Sequence, residues 1–473
     1  MITRRRFLEH SALAPATLAC RSLSLSAAEG SADSRAPVHL AIIGSTYHYG
    51  SELQTLADRF LVGYPHEGDW HMPNVQVVSM YVERRPSVES GAGRQRTQGG
   101  QRAEEDRRPP VAQSVQQGPP SGRREAAAAP VESGPLADLS GARSREFGFR
   151  LCANIPEALR CGGDHIAVDA VVSVVEQVDY PRNRRGQILY PRYDFFQQCA
   201  QVFEEEGRAV PYFNYGSLSF SFRDAQSMVT TAERLKFPLL AGSVLPVTWR
   251  LPDIDVPLGA RIEDAVMVGP FEGMEFDALE AMQCMLERRK GGETGVKAVQ
   301  LLEGDDVWAA ESKCWSKELL SSALSRSDAP LGLTLLDGRM QDMANSGVLP
   351  QLVKDPAAYC IEYNDGTRAT LLMLVGADQD FTFSARVEGH GLIATQFFRS
   401  PTPNVTYSAG LAAKIEQMLI TKSAPYPARR TVLTSGILEA ALTSRMRENR
   451  RLETPHLAAV SYQPPAESQY SRK

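Results

Sequence analysis

From Val38 onward, short apolar runs alternate with longer stretches whose apolar residues recur at helical spacing. The run Val38–Ile43 predicts a strand and Ser51–Leu61 a helix. Val75–Glu83 predicts a second strand, Arg150–Asn154 a short third, and Ile155–Arg160 a helix ending near Gly162-Gly163. Val168–Glu176 is almost entirely apolar and β-branched, as a strand covered on both faces must be. Pro191–Glu206 predicts a helix stopped by Gly207, Ala209–Asn214 a fifth strand, Phe222–Lys236 a helix, and Pro238–Gly242 the start of a sixth strand. Strand and helix in regular alternation predict a doubly wound parallel sheet.

The rhythm changes after Arg250. Arg261–Val268 and Val296–Glu303 read as strands around a helix at Gly273–Arg289, and Lys317–Ser325 as a helix. The segments Tyr359–Tyr363, Thr367–Val375, Phe381–Glu388 and Ala394–Phe398 then follow as successive strands, the first two joined by a hairpin at Asp365-Gly366. Helices at Val405–Ile420 and Arg429–Arg447 close the pattern. Strands in a run followed by helices predict an α+β domain with a mainly antiparallel sheet.

Two segments stand outside this pattern. Residues 1–35 open with Arg4, Arg5 and Arg6, then Phe7-Leu8 and a short, weakly apolar stretch reaching Ser26-Ala27-Ala28. That order resembles a twin-arginine export signal and implies passage through the corresponding machinery to the periplasm; Cys20 makes a poor lipoprotein site. Residues 84–146 contain no aromatic residue and are rich in Arg, Gly, Gln, Pro, Glu and Ser, a composition that favours a disordered insertion in a surface loop over a lid. The domain plan is therefore a signal and linker at 1–35, a first domain at 36–245 interrupted by 84–146, a second at 246–465, and a tail at 466–473.

Composition narrows the function. The 473 residues are 43% hydrophobic and 23% charged, with a formal net charge of −5, which speaks against a general nucleic-acid binder. No apolar run beyond the N-terminus reaches membrane-span length. None of the seven cysteines forms a C-x-x-C pair, and the six after Cys20 read as buried small hydrophobes. The eight histidines are scattered, so no metal site is predicted.

Several features carry a resemblance to the Gfo/Idh/MocA family, the glucose–fructose oxidoreductase and inositol dehydrogenase group. They are the turn Ile42-Ile43-Gly44, the acidic strand end at Glu83, the segment Ile155-Pro156-Glu157-Ala158-Leu159, the apolar strand Val168–Glu176, and the order of the two domains. The resemblance implies a Rossmann-type domain followed by an α+β domain with an open-faced sheet. It also implies NAD or NADP as cofactor and a sugar or polyol derivative as substrate. A catalytically degenerate scaffold and an NAD-assisted glycoside-cleaving enzyme are the rivals, and a homo-oligomer is left open.

The candidate site residues follow from this frame. Gly44, Ser45, Thr46, Tyr47 and Gly50 occupy the loop where a dinucleotide pyrophosphate would rest, although the middle glycine of G-x-G-x-x-G is missing. Glu83 stands where ribose hydroxyls are received, and Glu176 and Asn214 end strands that border the crevice. The lysine and histidine that the family uses for proton transfer are not found. Tyr215, Tyr180, and the carboxylates Asp277 and Glu280, one helical turn apart, are the candidates to replace them.

Overall fold

The computed structural model describes residues 36–83, 137–176, 178–329, 342–400 and 406–472. Its first sheet is built from β1 (Val38–Gly44), β4 (Val75–Val82), β5 (Arg150–Cys152), β6 (Ala170–Val174), β7 (Tyr212–Tyr215) and β8 (Leu239–Gly242), in the order β5-β4-β1-β6-β7-β8, all parallel. The strand order reverses at β1 and β6. Their apolar runs are explained by two faces: Leu40, Ile42, Ala170 and Val172 enter one core, while Ala41, Ile43, Val171 and Val175 enter another.

The helices α1 (Glu52–Val62), α3 (Ile155–Arg160), α4 (Arg192–Glu206) and α5 (Phe222–Leu235) connect these strands. Ser51 caps α1, accepting the Gln54 amide at 3.1 Å, and Asn154 caps α3, accepting the Glu157 amide at 2.8 Å.

The second sheet is mixed, in the order β16-β11-β12-β13-β10-β14-β15-β9. It comprises β9 (Arg250–Leu251), β10 (Ile262–Gly269), β11 (Val296–Glu303), β12 (Ala357–Tyr363), β13 (Arg368–Met373), β14 (Phe381–Val387), β15 (Gly391–Phe397) and β16 (Leu452–Glu453). All pairings are antiparallel except β10 with β13. Both sheets lie in one compact unit, Pro37–Lys473. A single apolar core joins them, running from Leu40 and Leu56 through Val244 to Met267, Leu371 and Phe383. The helices α6 (Glu275–Leu286), α10 (Ala409–Thr421) and α11 (Arg429–Met446) contribute to it.

The fold class is as the sequence predicts, and three details differ from that reading. One short helix covers part of the second sheet's outer face. Val266 and Val268 of β10 and Leu372 of β13 pack under Leu319, Leu320 and Ala323 of α8 (Lys317–Leu324), and the Ser384 hydroxyl donates to the Leu319 carbonyl at 2.6 Å. The run 84–146 is not uniformly without structure. Residues up to 136 lie outside the described set, but Ser140–Phe147 forms a helix, α2. Its composition is too polar to signal burial, and tertiary contacts hold it: the Leu139 amide donates to the Tyr47 carbonyl at 2.8 Å, and Arg143 lies 3.5 Å from Asp58. A short hairpin, β2 (Tyr64–His66) and β3 (Asp69–His71), interrupts the alternation. Its Tyr64 and His71 reach Glu416 on α10, at 2.5 and 2.8 Å. Finally, Cys314 and Cys360 are joined in a disulfide, in which Cys152, Cys161, Cys199 and Cys284 take no part. The residues of the proposed export signal lie outside the described set. Among the described residues no helix is long and apolar enough to cross a membrane.

The turn out of β1 depends on Gly44. A Cβ there would stand 2.6 Å from Leu53 Cδ2 and 2.7 Å from the Val174 carbonyl oxygen. Gly44→Ala is therefore expected to cost about 1–3 kcal/mol through overpacking, read as a lowered urea midpoint.

Candidate functional site

A cavity of about 570 Å³ opens beyond the carboxyl ends of β6 and β7 and beside the amino end of α1. Crevices at this position, where strand order reverses, are the usual ligand sites of open parallel sheets. Its walls include Glu52 from the first turn of α1, Glu176 after β6, and Tyr215, Gly216 and Ser217 at the end of β7. From the second sheet and its helices come Asp277 on α6, Tyr359 on β12, Arg399 after β15, and Ser435 and Arg445 on α11.

The strand ends are fixed by one side chain. The Ser45 hydroxyl donates to the Glu176 carbonyl at 2.6 Å and accepts the Glu176 amide at 2.9 Å, while the Ser45 amide donates to the Val174 carbonyl at 3.3 Å. The end of β1 is thus stapled to the end of β6, and the Glu176 side chain is directed along the cavity wall. Arg192, buried at the start of α4, meets the Glu176 carboxylate and the Ser217 hydroxyl, and donates to the Val175 carbonyl at 3.2 Å.

Glu52, Glu176 and Asp277 act on one another across this space. Burial, together with repulsion from Glu176 and Glu52, pushes the pKa of Asp277 up to about 7 against the opposing pull of Arg399 and the Ser243 hydroxyl. Burial also raises Glu52, which accepts the Tyr215 hydroxyl at 2.8 Å, and raises Glu176 against the attraction of Arg192. The Tyr215 phenol is held well above its ordinary range, first by burial and then by the neighbouring carboxylates. Arg399 is flanked by aromatic faces, 5.1 Å from the Tyr407 ring centre and 6.0 Å from that of Phe271.

The structure gathers some of the expected residues and disperses others. Glu176, Tyr215 and Asp277 meet in the cavity, and Gly44 and Gly50 shape the loop beside it, Gly50 at a φ of +77°. Asn214 is buried behind the cavity, where its amide donates to the carbonyls of Tyr215 and Ser217 at 3.1 and 3.0 Å and braces the turn. Ser45 is committed to the strand ends rather than facing outward. Tyr47 is buried, with its phenol on Asp58 at 2.5 Å, so it neither stacks on a sugar nor blocks the groove. Thr46 remains half-buried on the loop. Glu83 stands at the end of β4 as expected but accepts the hydroxyl of Tyr180. Tyr180 therefore belongs to the core beside Tyr190 and lies outside the cavity. Glu280 is also misplaced by the sequence reading. It is fully buried, accepts the Thr434 hydroxyl at 2.6 Å, and does not line the cavity.

Glu52, Arg192 and Arg399 were not foreseen. Glu52 had a weak signal, a carboxylate two residues after Gly50 at a helix start, but the other two are placed by long-range contacts alone. Among the described residues, no group of three or more His, Cys, Asp or Glu side chains is arranged to hold a metal ion.

Neither a protein-family model nor a curated protein matches the chain. Among solved structures it is similar to GenD2 from gentamicin A biosynthesis, in complex with NAD, at 13% identity and a TM-score of 0.49, with 88% of this chain and 96% of that chain covered. It is similar to a myo-inositol dehydrogenase from Lactobacillus casei in complex with NAD(H) and myo-inositol at 10% identity and a TM-score of 0.47, covering 88% of this chain and 97% of that one. A myo-inositol dehydrogenase from Corynebacterium glutamicum gives 11% identity, a TM-score of 0.44, and coverage of 88% and 98%. Likeness at this level assigns no activity.

Replacing Ser45 by Ala leaves the Glu176 amide and carbonyl without their partner. A loss of about 1–3 kcal/mol in unfolding free energy is expected, against about 0.5 kcal/mol or less for Thr46→Ala, both measured by urea denaturation.

Proposed function

We propose that the chain is an NAD(P)-dependent oxidoreductase that interconverts a hydroxyl and a carbonyl on a sugar- or polyol-like compound in this cavity. The observation that carries the reading is the position of Asp277. A carboxylate from the second sheet's helix layer, with a pKa near 7, faces Tyr215 at the carboxyl end of a parallel strand, in the crevice where such sheets bind ligands.

The residues present fit a dinucleotide at this crevice. Gly44 lets the loop pass close over β6, so the amino end of α1, the positive end of its dipole, stands beside the cavity. Glu83, which accepts the Tyr180 phenol, follows β4 at the strand end where such sheets receive ribose hydroxyls. When bound, the nicotinamide supplies a hydride acceptor or donor. The chain supplies the proton transfer: Asp277 takes the proton of the substrate hydroxyl in the oxidising direction and returns it in the reducing one. The Tyr215 hydroxyl, anchored on Glu52, fixes the wall against which the substrate oxygen rests.

Export by the twin-arginine route is part of the same proposal. Its support is the order of Arg4-Arg5-Arg6, Phe7-Leu8 and the small residues at 26–28, together with the Cys314–Cys360 disulfide, a bond that persists in oxidising compartments. Changing Arg4 and Arg5 to lysine is expected to retain the precursor in the cytoplasm, scored by fractionation. Unchanged periplasmic yield removes this part of the reading.

Two further outcomes are expected. The rate of the oxidising reaction should rise with pH through about 7 and then level off, as Asp277 loses its proton, and Asp277→Asn should lower it by about 10²–10⁴ and abolish that limb. Turnover of the variant at wild-type rate would contradict the assignment. Glu52 places a carboxylate in the first turn of α1, where it opposes an incoming pyrophosphate. Glu52→Gln should therefore tighten NAD(P) binding roughly three- to tenfold in calorimetric titration. Weaker binding in the variant would place the pyrophosphate elsewhere.

A further inference from the structure

The cavity carries charge of both signs. Its lining includes Glu272 and Glu275 as well as Glu52, Glu176 and Asp277, and one side of its rim carries guanidinium groups. The loop between β6 and α4 contributes Arg182 and Arg185 to the rim, and the last turn of α11 contributes Arg445. These three are held together through the backbone. Arg182 Nη1 donates to the Gly186 carbonyl at 2.8 Å, and Arg445 Nη2 donates to the Arg185 carbonyl at 2.6 Å. The bridge between Arg182 and Ile188 closes the same loop on itself.

The positive charge on this rim is only partly matched. Arg185 pairs with Glu439 at 2.9 Å, but Arg445 stands 3.7 Å from Glu303, and among the described residues Arg182 has no carboxylate within ion-pair distance. Glu439 is itself engaged, since it also accepts the Phe222 amide at 2.7 Å at the start of α5. Two of the three have a carboxylate partner and Arg182 has none among the described residues, so the group keeps an excess of positive charge that an anion would offset. A planar guanidinium with spare donors receives a carboxylate or phosphate in two parallel bonds.

We infer that the substrate carries an anionic group, a carboxylate or a phosphate, seated on Arg182 and Arg445 at the rim while its reacting hydroxyl faces Asp277 and Tyr215. This inference rests on the oxidoreductase reading and names the substrate class within it. A neutral polyol would satisfy Asp277 and Tyr215 and leave the rim unmatched. An anion without hydroxyls would do the reverse.

The test is calorimetric titration of the full chain, saturated with NADH, using sorbitol, gluconate and sorbitol phosphate. NADH is titrated first and by itself. At least one of the two anions should bind about tenfold or more tightly than sorbitol, and the preference should shrink at high salt. Arg182→Gln and Arg445→Gln should each erode the preference without weakening sorbitol, and Arg182→Lys should restore part of it. Circular dichroism confirms that each variant is folded. Tighter binding of gluconate identifies a carboxylate, and of sorbitol phosphate a phosphate. Sorbitol binding as well as the anions, or a preference unmoved in both variants, overturns the inference and leaves the oxidoreductase reading standing. No heat with NADH overturns that reading itself, and no binding of any of the three compounds to the NADH-bound protein overturns the inference.

Discussion

The site depends on a hydroxyl that never reaches it. Ser45 joins the ends of β1 and β6 by accepting from and donating to the backbone of one residue, Glu176. Beyond the last backbone bond between the strands, from the Ser45 amide to the Val174 carbonyl, the staple carries the joint two residues further along β6's exit. With it, the reversal of strand order at β1 and β6 becomes a crevice of defined width, and Gly44 allows α1 to start close beside it. The positions of Glu52 and Glu176 follow from this one joint, and Arg192 then locks the second of them.

The electrostatics follow from where the joint leaves these groups. Glu52, Glu176 and Asp277 face a cavity walled by elements of both sheets, and each is half-buried. Burial raises all three, repulsion between neighbours adds to it at Glu176 and Asp277, and Arg192 and Arg399 oppose these effects. The outcome is uneven. Glu176 is paired, Glu52 is bonded by a phenol, and Asp277 alone is left near neutrality with no ion pair among the described residues. Such divergence between neighbouring carboxyl groups is how one site acquires a group able to both take and return a proton at neutral pH.

Much of the fold was legible because burial on both faces leaves a strong mark in sequence. Val38–Ile43 and Val168–Glu176 are too continuously apolar for anything but central strands, and the glycine after the first marks the turn. Tyr215 and Asp277 could be placed because they sit at the end of a strand and the start of a helix, positions that the alternation itself defines. What failed was partner choice. Ser45 and Tyr47 have the chemistry of ligand contacts, but their nearest acceptors are Glu176, 131 residues away, and Asp58 on the facing helix. Tyr180 and Glu83 are 97 residues apart and satisfy each other. Glu280 lies a turn beyond Asp277 yet points into the α6–α11 contact, since the helix twists it away from the cavity. The Cys314–Cys360 bond spans 46 residues, and spacing alone never assigns a pairing. The helix α2 escaped notice because its stability comes from Asp58 and Tyr47 rather than from its own composition.

The measurement closest to the central claim is hydrogen–deuterium exchange of the full chain with and without saturating NAD or NADP. The account predicts slower exchange over residues 44–54, 173–176 and 214–217, the loop, strand end and turn that border the cavity, with the outer layer at 305–324 unchanged. Identical exchange with and without either cofactor, or protection confined to the outer layer, would contradict it.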